Sequence, residues 1–397
     1  MTDIQNNFIQ VLRFCISTEA KCPELSVNEW IDIHNLSKKQ ALAPIIGKML
    51  IQKDAIWPII KDSSEASLLE DLLMDWSGEI KIVKRRNTEI NEHLVKVCQH
   101  FEKHGFDTCL LKGQGNSLFY PIPETRIPGD LDIWLCFADF NRINNTQKNQ
   151  KFKDDINKII SFIRKYNPSA KAIYHHIECP PFKNTEVEVH YRPSYMKSFV
   201  HDRRLQRFFI DRKFEQFSHH VCFGEYKIAV PEEDFNVVFL LCHIYQHLFH
   251  EGIGLRQILD YYYLCISEEL ESKGLNKQYW KQQLSYLGLY KIAGAIMWIL
   301  VHQLGMDKKY VLAEPDARRG QFVFNEILSG GNFGRYDERY HFSDNVWGRN
   351  LQRLWRDLRL VRYFPSEALS EPCFRLYHAI WRWKHRPKIK KYNNSSL

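Results

Sequence analysis

The chain has 397 residues, a formal charge of +8, 44% hydrophobic residues and 14% aromatic residues. That is enough apolar material for two or three domains with a sizeable core, and it excludes a disordered chain. The mild positive excess permits a polyanionic partner without requiring one.

The ten cysteines are scattered singly with no CxxC pair, which is a poor disulfide or zinc framework and suits a reducing cytosol. The opening MTDIQNNFIQVLRFC lacks the basic-then-apolar layout of a signal peptide. The most apolar run, Ile292 to Val301, is about half the length of a membrane span. These features predict a cytoplasmic protein without integral membrane association.

From the N-terminus to about residue 105 the pattern is helical. FIQVLRFCI, ALAPIIGKMLI and EASLLEDLLMDW carry apolar residues at three- and four-residue spacing, and a long helix is expected from about Ser64 to His104. The pattern then changes. Phe106 to Leu111 reads as a short buried strand, Lys112 to Gly115 as a glycine turn, and Asn116 to Tyr120 as a helix start. GDLDIWLCF is the next strand, followed by a polar helical stretch from about Ala138 to Tyr166. KAIYHHIEC and EVEVHYRP then form two strands joined through PPFKNT, a hairpin connection. After Pro231 the chain is helical again to a basic end. The expected organisation is therefore 1–105, 106–230 and 231–397, an α+β protein with a small mixed-sheet core between helical regions.

Two carboxylates stand one residue apart in RIPGDLDIWL. Asp130 and Asp132 share one face of the strand and Leu131 takes the other. Burying like charges side by side is costly unless cations lie between them. Mg²⁺ prefers oxygen ligands and commonly uses one or two carboxylates plus substrate phosphates, and Mn²⁺ suits the same donors. A third carboxylate is available in Glu188, an acid between Val187 and Val189 on an expected central strand. In LLKGQGNSLFY a strand runs through a turn with Gly113 and Gly115 into a helix, so backbone N–H groups form an anion cradle beside the Lys112 charge. Taken singly, the Asp pair also suits a solvated strand edge and the Lys-Gly turn also suits helix punctuation. Their conjunction with Glu188 points to phosphate chemistry.

In this order the elements resemble the DNA polymerase beta-like nucleotidyltransferase superfamily, and most closely a bacterial nucleotidyltransferase family within it. The motifs that carry the resemblance are Leu111-Lys112-Gly113, Tyr120-Pro121, Arg126 to Asp132, and Glu188-Val189-His190. The resemblance implies a nucleotidyltransferase core at 106–230. It implies metal ligation and catalysis by Asp130, Asp132 and Glu188, and nucleotide contact at Lys112, Gly113, Gly115, Ser117 and Arg126. The activity implied is transfer of a nucleoside monophosphate from an NTP such as ATP to an acceptor hydroxyl, on a tRNA or other RNA end, a protein or a small molecule. The competing class is an inactive nucleotide-binding or scaffold protein of the same fold. The superfamily's turn is usually Gly-Gly or Gly-Ser, whereas Gln114 follows Gly113 here, so either Ser117 or the backbone takes the phosphate role.

His175 and His176 are adjacent, and a structural role is expected for each; His190 shares the face of Glu188 and suits a supporting or substrate role. His243, His247 and His250 lie on one helical face. A zinc site is disfavoured there, because no third ligand or glutamate base accompanies the H-x-x-x-H pair. The family's comparable helix, with its Gly-x-Gly-Leu-Arg turn, implies that His243, His247 or Arg256 lines the nucleotide cleft. From Trp347 to Lys391 there are twelve Lys and Arg against three acids, a local balance of +9. Basic and aromatic residues interleaved in this way fit a solvated helix face, an RNA-binding surface or a membrane-surface helix.

Overall fold

The computed structural model describes residues 1–17, 20–55, 65–137, 145–274, 276–337 and 346–387. Residues 138–144 of the expected polar stretch and Lys388, Lys390 and Lys391 of the basic end lie outside them. The chain is α+β. It divides into two compact units, each assembled from three separated stretches. One comprises Met1–Glu89, Asn116–Pro128 and Glu233–Leu369; the other comprises Ile90–Gly115, Gly129–Glu232 and Ser370–Leu397.

The first unit is helical. Asp3–Ile16 and Val27–Lys39 each start from a capping box, with Thr2 and Ser26 accepting from the third residue's N–H and that residue's side chain reaching back. Ala43–Gln52 follows, and Gly47 packs so closely on Trp76 that an added Cβ would lie 2.5 Å from the indole. The helices Glu233–His250 and Leu255–Cys265 are largely buried, the second all along its length with Arg256, Gln257 and Asp260 among its buried side chains. The long helix Ala66–Lys103 begins in this unit and ends in the other, close to its expected bounds.

The second unit holds a four-stranded mixed sheet. Its strands are β1 (Phe106–Leu110), β2 (Leu131–Phe137), β3 (His176–Glu178) and β4 (Val187–His190), in the order β1-β2-β4-β3. β2 is antiparallel to β1 and parallel to β4, while β3 and β4 form the expected hairpin. Leu131, Ile133 and Leu135 alternate onto one face with Ile177, Val187 and Val189. There they pack with Leu94, Val97 and Phe101 of the long helix and with Ile156, Ile159 and Ile163 of Asn145–Tyr166. A second hairpin, β5 (His220–Phe223) and β6 (Tyr226–Ala229), is absent from the sequence reading. Four-residue strands with partly exposed faces give too short an alternation to stand out from a loop. Gly224 closes the hairpin at φ +64°.

Candidate active site

The polar face of the sheet follows from strand register. In the parallel pair, Asp132 lies opposite Glu188 and Trp134 opposite His190; in the hairpin, His176 lies opposite His190. Residues paired across strands point the same way, so one acid from each of two central strands meets two imidazoles. Asp132 is fully buried, whereas Glu188 and Asp130 are each about one-third exposed. Trp134 closes the far end of this face against Phe217.

The contacts form a continuous chain. His190 Nε2 is 2.9 Å from Asp132 Oδ1 and 3.5 Å from Glu188 Oε2. His176 Nδ1 is 3.2 Å from the same Glu188 oxygen and 3.1 Å from His175 Nε2. Lys112 Nζ reaches Asp132 Oδ2 at 3.2 Å and Asp130 Oδ2 at 4.0 Å. Burial opposes the charge on His190, but its hydrogen bonds to Asp132 and Glu188 outweigh that and raise its pKa to about 9. Burial likewise disfavours the Glu188 carboxylate, yet the His190 hydrogen bond and the two imidazole charges hold it down at about 2. His176 is pushed down to about 4 by burial and by the His190 charge. Burial also weakens Lys112 as a cation, and Asp130 and Asp132 more than restore it, so its pKa is raised. At neutral pH, Lys112 and His190 are charged and His176 is neutral.

The glycine turn lies in the same unit. Gly113 adopts φ +66°, a left-handed conformation that L side chains resist, and an added Cβ would stand 3.4 Å from the Asp130 carbonyl oxygen. Gln114, where the resembling superfamily usually has Gly or Ser, is buried and donates from Nε2 to Asn91 Oδ1 at 2.6 Å. It ties the turn to the long helix. Gly115 follows in the short helix Gln114–Ser117.

The other expected residues belong to the first unit. Ser117 is buried. Arg126 makes two parallel hydrogen bonds to Asp260, Nε to Oδ1 and Nη2 to Oδ2, both at 2.7 Å. Tyr120 donates to the same Oδ1 at 2.6 Å. Arg256 donates from Nη1 to the Ile127 carbonyl oxygen at 2.8 Å and lies over the Phe333 ring. The His243 and His247 rings are 4.4 Å apart, with Phe333 beyond His247. Arg126 is thus bound to Asp260 within its own unit. Burial opposes the Asp260 charge, but Arg126 and the two hydroxyl and guanidinium donors hold its pKa low.

Among the described residues, two clusters place ligand atoms within 4.8 Å of one another: Asp132, Glu188 and His190, and His175, His176 and His190. The histidines of Glu233–His250 are in neither. Asp132 Oδ2 is buried without a hydrogen bond, its nearest cation being Lys112. A buried carboxylate oxygen ion-paired with Lys112, beside further oxygen and imidazole donors, fits a divalent cation, Mg²⁺ through the carboxylates and Mn²⁺ through the mixed set. His176, read from sequence as structural, is therefore at the acidic centre. Counting the hairpin register back from PPFKNT would have placed it opposite His190.

At the basic end, Arg359 of the helix Val346–Val361 pairs with Glu326 and lies over Trp355. Leu354, Trp355 and Leu358 are exposed. Among the described residues, no helix is long and apolar enough to cross a membrane.

A small mixed sheet with acids on its two central strands, a lysine paired with Asp132 and a left-handed glycine turn alongside is an arrangement suited to phosphate and cation chemistry. The chain belongs to a family of uncharacterised nucleotidyltransferases, whose model matches residues 26–305. Membership gives nucleotidyl transfer as its general chemistry and a nucleotide as its substrate class. No curated protein and no solved structure matches the chain.

Proposed function

We propose that the protein is a metal-dependent nucleotidyltransferase of the DNA polymerase beta-like type. It moves a nucleoside monophosphate from an NTP to an acceptor hydroxyl. The acceptor oxygen bonds to the α-phosphorus, the α–β bridging bond breaks, pyrophosphate departs with the bonding electrons, and the hydroxyl proton passes to solvent. The observation that carries this reading is the Asp132–Glu188 pair on adjoining parallel strands, with Asp130 and Asp132 both beside Lys112.

In this reading Asp130, Asp132 and Glu188 hold Mg²⁺ or Mn²⁺, which when bound supplies charge stabilisation at the triphosphate. Glu188, kept ionised by His190, is a permanent ligand rather than a proton acceptor. His190 and His176 fix the carboxylates in place, as the outer partners of metal ligands commonly do. Lys112 turns from the carboxylates to the phosphates, and the backbone N–H groups of Gly113 and Gly115 cradle them. RNA, tRNA, a protein or a small molecule is the acceptor, and ATP is one candidate donor.

The same contacts carry a second reading. Lys112 and His190 already place positive charge against Asp132, as an inactive nucleotide-binding or scaffold protein would use to neutralise a former metal site. Incubation with each α-labelled NTP, Mg²⁺ or Mn²⁺, and fractionated lysate separates the two. Label transferred by wild type and not by Asp132→Asn supports the enzyme. Metal-dependent nucleotide binding without transfer to any fraction supports the binding protein.

A further inference from the structure

The helix Pro365–Lys384 is apolar on two opposite faces. Its inner face is fully engaged within the second unit. Phe374 and Trp381 are buried, Phe374 stacks on Tyr195 with ring centroids 5.0 Å apart, and His378 Nε2 accepts from the Tyr174 N–H at 3.2 Å. Arg164 anchors the end of the helix by donating to the His385 carbonyl oxygen. The helix is therefore fixed in place through one side.

Its outer face carries Leu376, Ile380 and Trp383, which are 66%, 45% and 61% exposed. Their spacing of four and three sets them in one stripe, with exposed Ala379 beside it. Large side chains grouped on one outward face mark a contact surface, unlike the single exposed leucines of any protein. Arg382, Lys384 and Arg386 are exposed around the stripe. From Leu369 to Lys391 the sequence has seven Lys and Arg against the single acid Glu371, and Glu371 is already paired with Arg375.

We infer that this face docks on an anionic lipid surface. Aliphatic Leu and Ile enter the acyl boundary, Trp sits at headgroup level, and the surrounding cations meet lipid phosphates. The same face suits the alternatives less well. A second copy would bring two strongly basic stripes together. RNA would use planar rings and cations, leaving Leu376 and Ile380 without a role. This surface is separate from the chemistry of the carboxylates, and the inference stands whether or not the site is active.

The test is sedimentation of the full chain with vesicles of phosphatidylcholine alone or equimolar with phosphatidylglycerol. The measurements are repeated with Leu376→Ser/Ile380→Ser/Trp383→Ser and with Arg382→Glu/Lys384→Glu/Arg386→Glu. Wild type is expected to pellet with the anionic vesicles only. Each triple variant should lose roughly tenfold or more in apparent affinity, with an unchanged melting temperature because every altered side chain is exposed. Brominated lipid should quench wild-type tryptophan fluorescence and spare the serine variant. Three results overturn the inference: no anionic-vesicle binding by wild type; a dimer in lipid-free solution that the serine variant abolishes; or tRNA binding, lost on charge reversal, in place of vesicle binding.

Discussion

Arg126 and Asp260 are joined by two parallel hydrogen bonds inside the helical unit, and Tyr120 caps the same carboxylate. Arg126 comes from the stretch between the glycine turn and β2, and Asp260 from a helix 134 residues later. The pair fixes that stretch against its own unit. Removing one member strands the other as a buried charge, which typically costs about 3–5 kcal/mol. Arg126→Ala and Asp260→Ala should each lower stability by that order in chemical denaturation. The double variant should lose less than the sum of the two.

The Asp260 carboxylate also sets an acid limit. Its folded pKa lies below the ordinary value of 3.8, so its contribution is fully present above that value and fades as pH falls through the folded one. In that window the unfolded chain binds more protons, and stability rises with pH by up to about 1.4 kcal/mol per unit for one such group. Asp260→Asn should remove that component of the slope below pH 3.8, as measured by urea midpoints across an acid series. A slope identical to wild type would show that Asp260 is not depressed.

Asp132→Asn and Glu188→Gln should each abolish transfer and weaken Mn²⁺ binding, read directly by electron paramagnetic resonance of free Mn²⁺. Asp130→Asn should act in the same direction. The Mn²⁺ measurement keeps the ligand assignment testable even if the acceptor is unidentified.

Lys112→Ala should act on the donor. If its ammonium meets the triphosphate, the KM for NTP should rise, or kcat should fall where the contact strengthens in the transition state. Unchanged values of both would move the triphosphate away from the Lys112 turn.

Gly113→Ala places a Cβ on a backbone at φ +66°, and should cost about 1–2 kcal/mol by forcing a left-handed L residue. Because the Asp130 carbonyl oxygen is the neighbour of that Cβ, nucleotide affinity should fall together with stability. Thermal shift with and without NTP reads both.

How much of this was legible in the chain depends on the range of the interaction. Local periodicity sufficed for the long helix and for β1 and β2, while the short β3 and β4 were marked by the PPFKNT connection and the acid-apolar alternation of EVEVH. The short alternation of β5 and β6 was too brief to register. The strand faces of Asp132 and Glu188 followed from alternation and apolar flanks, both of which are local, whereas their meeting needed the β2–β4 register. The partner of Arg126 did not follow, since nothing near Arg126 in sequence distinguishes Asp260 from Asp130 or Asp132. His176 needed a strand register that depends on the hairpin turn.

The sequence by itself determined which residues carry charge, which strand face they share and where the glycine turn stands, because steric alternation and backbone freedom act over a few residues. Only the tertiary structure decided that Arg126 meets Asp260, that His176 and His190 enclose Glu188, and that each compact unit draws on three separated stretches. It also decided that Leu376, Ile380 and Trp383 face outward. Both faces of that helix are apolar, so periodicity could not choose between them. The choice fell to the aromatic pocket of Tyr174, Tyr191 and Tyr195, which Phe374 and Trp381 fill.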